Sequence, residues 1–285
     1  MTSTTTDRDE LAGVLRAAHD TLRVERRRVV DEREAFEAFR DRVSAIPTRA
    51  GPATGTSPLR GVGTGMGFGA GVGSDGGGTA GIGGGCSQRP GNGLIAVRDA
   101  YVKTVMSVPH YEEEYDDTYE TSIAIEFGPD LAVALTQEPE LAEPYKRALI
   151  SKTTEAIEER ERFVEAIDLE QKSLDRAIKR LLPITEEVMS LSQNPLANLE
   201  YGTLDAYRVR TETLEQNCDA VVRRRQDDLD EVDRSLRPDE TVPDVATYLY
   251  QDLSATYPVL STVALIGDRL RDLRRTIERE MIHRR

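Results

Sequence analysis

Residues 7 to 46, DRDELAGVLRAAHDTLRVERRRVVDEREAFEAFRDRVSAI, place Leu15, Leu22, Val29, Phe36 and Val43 at seven-residue intervals, with Ala18, Phe39 and Ile46 on a companion seam. An apolar residue every seven positions returns to one side of an α-helix, so the stretch reads as a single long amphipathic helix. Thr6 and Asp9 give it a weak capping-box start, and Pro47, which has no N–H to continue the ladder, ends it. At 1.5 Å per residue such a helix is roughly 60 Å long and cannot bury its own seam. The five heptad positions are therefore the expected interaction seam. Glu25 and Glu32 interrupt the companion seam. A carboxylate held there needs a donor such as Arg, and so selects register or partner at some cost in stability.

Downstream, residues 47 to 93 contain 18 of the 22 glycines. This composition reads as a disordered, flexible linker with an end-to-end distance of roughly 35 to 40 Å, enough to fold the first helix back or to pass it to another subunit. Within it GVGSDG, Gly71 to Gly76, matches G-x-G-x-x-G. No strand precedes it and no helix follows, so it lacks a dinucleotide-binding frame. The chain has no GxxxxGK[ST] phosphate loop.

From Leu94 the pattern is helical again, through LIAVRDAYVKTVMSV, until Pro109. Tyr111, Tyr115, Tyr119 and Ile123 are spaced by four and make one apolar face if helical, with Gly128 and Pro129 as the stop. SIAIEF within this segment could instead be a strand. Residues 141 to 182 carry a second heptad pattern, with Ile150, Ile157, Val164 and Ile178 on one seam and Ile167, Leu174 and Leu181 on the other, interrupted by Arg160 and Gln171. Pro183 is expected to kink or restart that helix, and the NPL turn at Asn194 to Leu196 separates it from a third run, which drifts near Arg225 and ends near Leu236. Two long helices with a short connection form an antiparallel hairpin. After Pro238 and Pro243 come a short helix around Val245 to Leu253, a break at Pro258, and a last helix carrying Val263, Ile266, Leu270, Leu273 and Ile277. The expected fold is all-α: an elongated antiparallel helical bundle, or coiled-coil hairpin, with a disordered Gly-rich linker after the first helix. Its divisions are 1–46, an N-terminal coiled-coil helix; 47–93, the linker; and 94–285, the helical bundle domain.

The chain has 285 residues, 51 acidic against 37 basic, a net charge of −14, 38% hydrophobic residues and no Trp, which suits exposed helices around thin cores. The opening MTSTTTDRDE has neither a basic start nor an apolar h-region, and no stretch of about 18 apolar residues occurs, so the expectation is a cytoplasmic protein with no membrane partner. Cys86 and Cys218 have no disulfide or C-x-x-C spacing and read as free thiols. Only five of the 37 basic residues are Lys. In concentrated salt the Debye length shrinks to a few ångströms, so an acidic surface keeps a protein solvated with little self-repulsion. The acidity therefore reads as a solubility device and not as a site for a basic partner. The arginines of the last helix, Arg269 to Arg285, lack interleaved aromatics and a helix-turn-helix frame; nucleic acid is disfavoured as a partner, and pairing with neighbouring acids is expected instead.

The richest polar run is His110-Tyr111-Glu112-Glu113-Glu114-Tyr115-Asp116-Asp117. If helical, His110, Glu113 and Glu114 could share one side and hold a divalent metal. Against this, a di-iron bundle needs Glu-x-x-His from two helices, and only Glu280 to His283 has that spacing. Zinc by the usual Cys/His spacing is absent as well, and a structural role for His110 is preferred. Cys218 sits on an apolar seam and there is no G-x-S-x-G elbow, so no catalytic residue and no cofactor are assigned.

The stretch VRDAYVKTVMSVPHYEEEYDDTYETSIAIEFGPDLAVAL, residues 97 to 135, together with ATYLYQDLSATYP at 246 to 258, resembles a family of uncharacterised helical, coiled-coil proteins from halophilic archaea. The resemblance covers residue 94 to the end, with the first helix matching more loosely. It implies a salt-rich habitat and an all-helical body, and it carries no activity, cofactor or catalytic residue. The expected function is that of a non-enzymatic cytoplasmic interaction or scaffold protein, acting through coiled-coil self-association or a helical partner. The alternative is a helical regulator or enzyme that binds a metal or small ligand near His110 and the adjacent acids.

Overall fold

The computed structural model describes residues 3–48, 92–236 and 245–284. The expected linker at 47–93, with Cys86 and the GVGSDG motif, lies almost wholly outside the described residues, as do Pro238 and Pro243. Among the described residues there are nine α-helices and no strand: α1 (Ser3–Ala45), α2 (Asn92–Val102), α3 (Tyr111–Glu114), α4 (Tyr119–Phe127), α5 (Pro129–Gln137), α6 (Glu143–Gln193), α7 (Tyr201–Leu236), α8 (Val245–Leu249) and α9 (Pro258–Ile282). None of them is long and apolar enough to cross a membrane. The residues group into two compact units, Arg28–Glu161 and Met1–Arg27 with Arg162–Arg285, so the boundaries fall inside α1 and inside α6.

In the unit Arg28–Glu161, the second half of α1 runs antiparallel to the start of α6. Lys146 Nζ donates to the carbonyls of Ser44 and Ile46 at 2.8 and 2.6 Å, while Arg160, four turns further along α6, reaches Glu32. Between them Phe36, Phe39, Tyr101, Tyr119 and Phe127 form an aromatic core. Its rings meet mostly edge to face, as with Phe39 and Tyr101 at 5.1 Å and Phe36 and Phe127 at 6.3 Å, the arrangement the ring quadrupole favours. The Tyr101 hydroxyl, which would be costly to bury alone, shares a 2.9 Å hydrogen bond with Ser122 Oγ.

Two local expectations are corrected in this unit, and one open alternative is decided. The helix predicted through residue 108 ends at Val102, after which the Thr104 hydroxyl donates to the Ala100 carbonyl and a 3₁₀ turn, Val105–Ser107, follows. The tyrosine face is not one helix: the chain turns between α3 and α4 with Asp116 at φ 43°, so Tyr111 and Tyr119 are buried while Tyr115 is exposed. SIAIEF is helical and not a strand, because Thr118 caps α4 by accepting from the Thr121 N–H at 3.3 Å. The stop at Gly128 is as predicted: it has φ 91° and ψ 157°, a conformation closed to residues with a Cβ, and Pro129 opens α5 with its fixed φ.

In the other unit, α6 and α7 form the antiparallel hairpin. Glu187 pairs with Arg210 near the turn, and Glu170 with Arg225 further from it. α9 lies antiparallel on α7, with Arg274 reaching Glu212 and Glu215 and Arg284 donating to the Ala197 carbonyl near the start of α7. Leu22, Leu174, Leu181, Leu204, Leu214, Leu270 and Ile277 are fully buried. α6 neither stops nor restarts at Pro183. Pro183 lies on the exposed side, as does Lys179, the residue whose carbonyl loses its helix donor there.

Candidate functional site

The breaks in the apolar patterns meet one another. In the unit Arg28–Glu161, Glu32 from the companion seam of α1 faces Arg160, the first interruption of the α6 seam, with Oε2 3.3 Å from Arg160 Nε. Its other oxygen lies 3.1 Å from His110 Nε2 and accepts from the Tyr115 hydroxyl at 2.9 Å. Arg160 grips Glu126 with both terminal nitrogens, at 2.7 and 3.1 Å, and its guanidinium lies 4.4 Å from the centre of the Phe36 ring. Burial acts to raise the pKa of Glu32, but His110, Arg160 and Tyr115 outweigh it and hold the carboxyl below its ordinary value. Tyr115 is exposed along its ring, but its hydroxyl end is drawn in against Glu32, and there desolvation and the facing Glu32 charge work together and push the phenol well up.

A second set of breaks meets in the other unit. Arg225, where the α7 pattern drifts, donates to both oxygens of Glu170 at 2.8 and 2.5 Å and to Ser173 Oγ at 2.7 Å. The Tyr250 hydroxyl adds a 2.5 Å bond to Glu170, and Ser173 donates to Asp228 at 2.8 Å. Arg225 and Glu170 are only 2% and 1% exposed, so each charge depends on the other. Gln171, the remaining interruption, faces His19 at 3.4 Å, and Glu25 accepts from Tyr248 at 2.8 Å. These networks fix helix register; their donors and acceptors are turned to one another.

The residues singled out in the sequence are placed as follows. Leu15, Leu22, Val29, Phe36 and Val43 are all buried within the chain itself, at 5% exposure or less. His110 is brought to Glu32, not to Glu113 or Glu114: Glu113 is exposed and Glu114 pairs with Arg28 at 2.6 Å. Among the described residues no three His, Cys, Asp or Glu side chains come together in a way that could hold a metal ion. In α9, Arg271 and Arg275 pair with Asp268 and Asp272.

The sequence reading missed the outer face of α2. Leu94, Val97, Ala100 and Tyr101 point into the core, which leaves Ile95, Arg98, Asp99 and Val102 on the opposite side, with Ile95 44% and Val102 42% exposed. They border an open groove of about 390 Å³ between α2, α4 and α5, walled by Leu94, Tyr119 and Leu135. Arg98 stacks 5.5 Å over the Tyr119 ring and Asp99 lies 3.6 Å from Lys103. The i, i+3, i+4, i+7 spacing of the four residues was visible in the sequence, but LIAV is apolar on every side and only packing shows which side is left over.

Long helices paired antiparallel and keyed by buried ion pairs define an all-helical protein. The chain belongs to the family described as Domain of unknown function (DUF7260), whose family model matches residues 13–274. No curated protein and no solved structure matches the chain.

Proposed function

We propose that this is a non-enzymatic helical interaction protein of a salt-rich cytoplasm, and that it meets its partner through the outer face of α2. One observation carries this reading: Ile95 and Val102 stand exposed one above the other along α2, beside a groove walled by Leu94, Tyr119 and Leu135. A helix face of this kind accepts the apolar stripe of another helix. Support comes also from the first helix, whose heptad residues are already buried in the chain and so leave α2 as the better candidate surface. The scarcity of Lys and the charge of −14 support the salt-rich setting, where apolar contacts persist while charge is screened.

The test is a photo-cross-linking amino acid at position 95 in the full chain, activated in living cells. Cross-links to another polypeptide, a second copy included, and none from an equally exposed control at position 209, are the expected result. Cross-links confined to the protein's own chain would sink the reading.

A further inference from the structure

We propose that the partner is a second copy of this chain, the two α2 helices packing antiparallel about a twofold axis that passes between Arg98 and Asp99. This rests on the interaction reading above and names its partner. The exposed face reads Ile95, Arg98, Asp99, Val102: apolar, positive, negative, apolar, symmetric about its own midpoint. In an antiparallel pair of helices each residue faces the one equally far on the other side of the axis. Ile95 then meets Val102 of the second copy, and Arg98 meets Asp99, each twice. An isologous interface requires a patch that complements itself, and this four-residue set does so in apolarity and in charge together. An arbitrary partner would need only a matching surface of its own.

The flanks agree with the pairing. Lys103 and Glu120 border the same groove with opposite charges, so a twofold partner is offered both signs on each side. The groove has room for a few side chains and not for a whole helix, so Ile95 and Val102 of the second copy would insert there while the helix axes stay apart. α2 has 11 residues and is about 16 Å long. A contact of this length falls short of the roughly 1,600 Å² of a standard stable interface, so the dimer is expected on the weak, transient side.

The experiment is sedimentation velocity on the full chain from low to high micromolar concentration, at the lowest KCl that keeps its far-UV CD helical, because salt screens the charge pairs. Wild type is expected to shift from monomer to dimer across the range. R98D and D99R should each weaken association tenfold or more, since each puts like charges face to face. Mixing the two variants, or combining them in R98D/D99R, should restore the dimer, which a folding defect could not do. I95E/V102E should remain monomeric. A wild-type chain that is monomeric throughout, single reversals that dimerise like wild type, or a dimer retained in I95E/V102E would each overturn the proposal. If position 95 cross-links in cells to a different polypeptide while the purified chain stays monomeric, the interaction reading survives and the self-pairing fails.

Discussion

Glu32 illustrates how a buried charge is kept ionised: its side chain is 14% exposed, yet it accepts from Tyr115, contacts His110 and pairs with Arg160. Removing one member of such a set leaves the others desolvated without a counter-charge, which costs more than the set itself contributes. Glu32→Ala is expected to destabilise the chain by about 3 to 5 kcal/mol in urea unfolding with an unchanged m-value. A loss below about 1 kcal/mol would place the network on the level of surface pairs. The same residue sets a pH dependence. Its folded pKa lies below the ordinary value of 4.5, so the unfolded chain binds the proton first, and the stabilisation is complete above pH 4.5 and lost as pH falls through the lower folded value. Wild type should therefore lose stability more steeply below pH 4.5 than Glu32→Gln, compared by thermal melts across that window. Equal slopes would show that Glu32 is not the group responsible.

At the scale of the element, the backbone at Gly128 joins α4 to α5 at φ 91° and ψ 157°, where a Cβ is strained even though open space surrounds it. Gly128→Ala is expected to cost about 1 to 3 kcal/mol while Gly202→Ala, inside α7 and equally uncrowded, should be neutral or stabilising. Equal effects in a urea titration would mean that the junction relaxes. The long elements were legible in the sequence because burial every seven residues leaves a one-dimensional trace, and Leu15 to Val43 are buried as that trace implies. Arg160, Gln171 and Arg225 were legible as breaks, but not as partners of Glu32, His19 and Glu170, because pairing depends on the register between helices, which no single periodicity contains. The four-residue spacing of Tyr111, Tyr115 and Tyr119 misled, since a local turn at Asp116 overrides it. His110 was legible as structural but its partner was not: its neighbours in sequence are acids, yet the carboxylate it touches is 78 residues away.

For the whole molecule, α1 and α6 matter more than the unit boundaries, because each is one unbroken helix contributing residues to both compact units. Unfolding one unit would strip the tertiary support from part of two helices whose remaining turns stay in place, and helices draw most of their stability from such packing. The two units are therefore expected to unfold together despite a length at which separate transitions are common. Cys218 reports on one of them: it is buried in α7, and burial, followed by the charges of Asp219 and Glu215, pushes its thiol up to about 11. Only the thiolate reacts, so at pH 8 the folded protein presents about one reactive thiol in a thousand, before its burial slows reagent access further. Tyr101 reports on the other: in fluorotyrosine-labelled protein its ¹⁹F resonance, assigned by its loss in Tyr101→Phe, is a tyrosine signal from that unit alone, whereas Tyr248 and Tyr250 lie in the unit of Cys218. In a Cys86→Ser background, Cys218 labelling and loss of the tyrosine signal should share one urea midpoint, and Glu32→Ala should lower both by the same amount. Labelling that begins while the tyrosine signal is intact would show that the continuous helices do not couple the units, and that each holds its own stability.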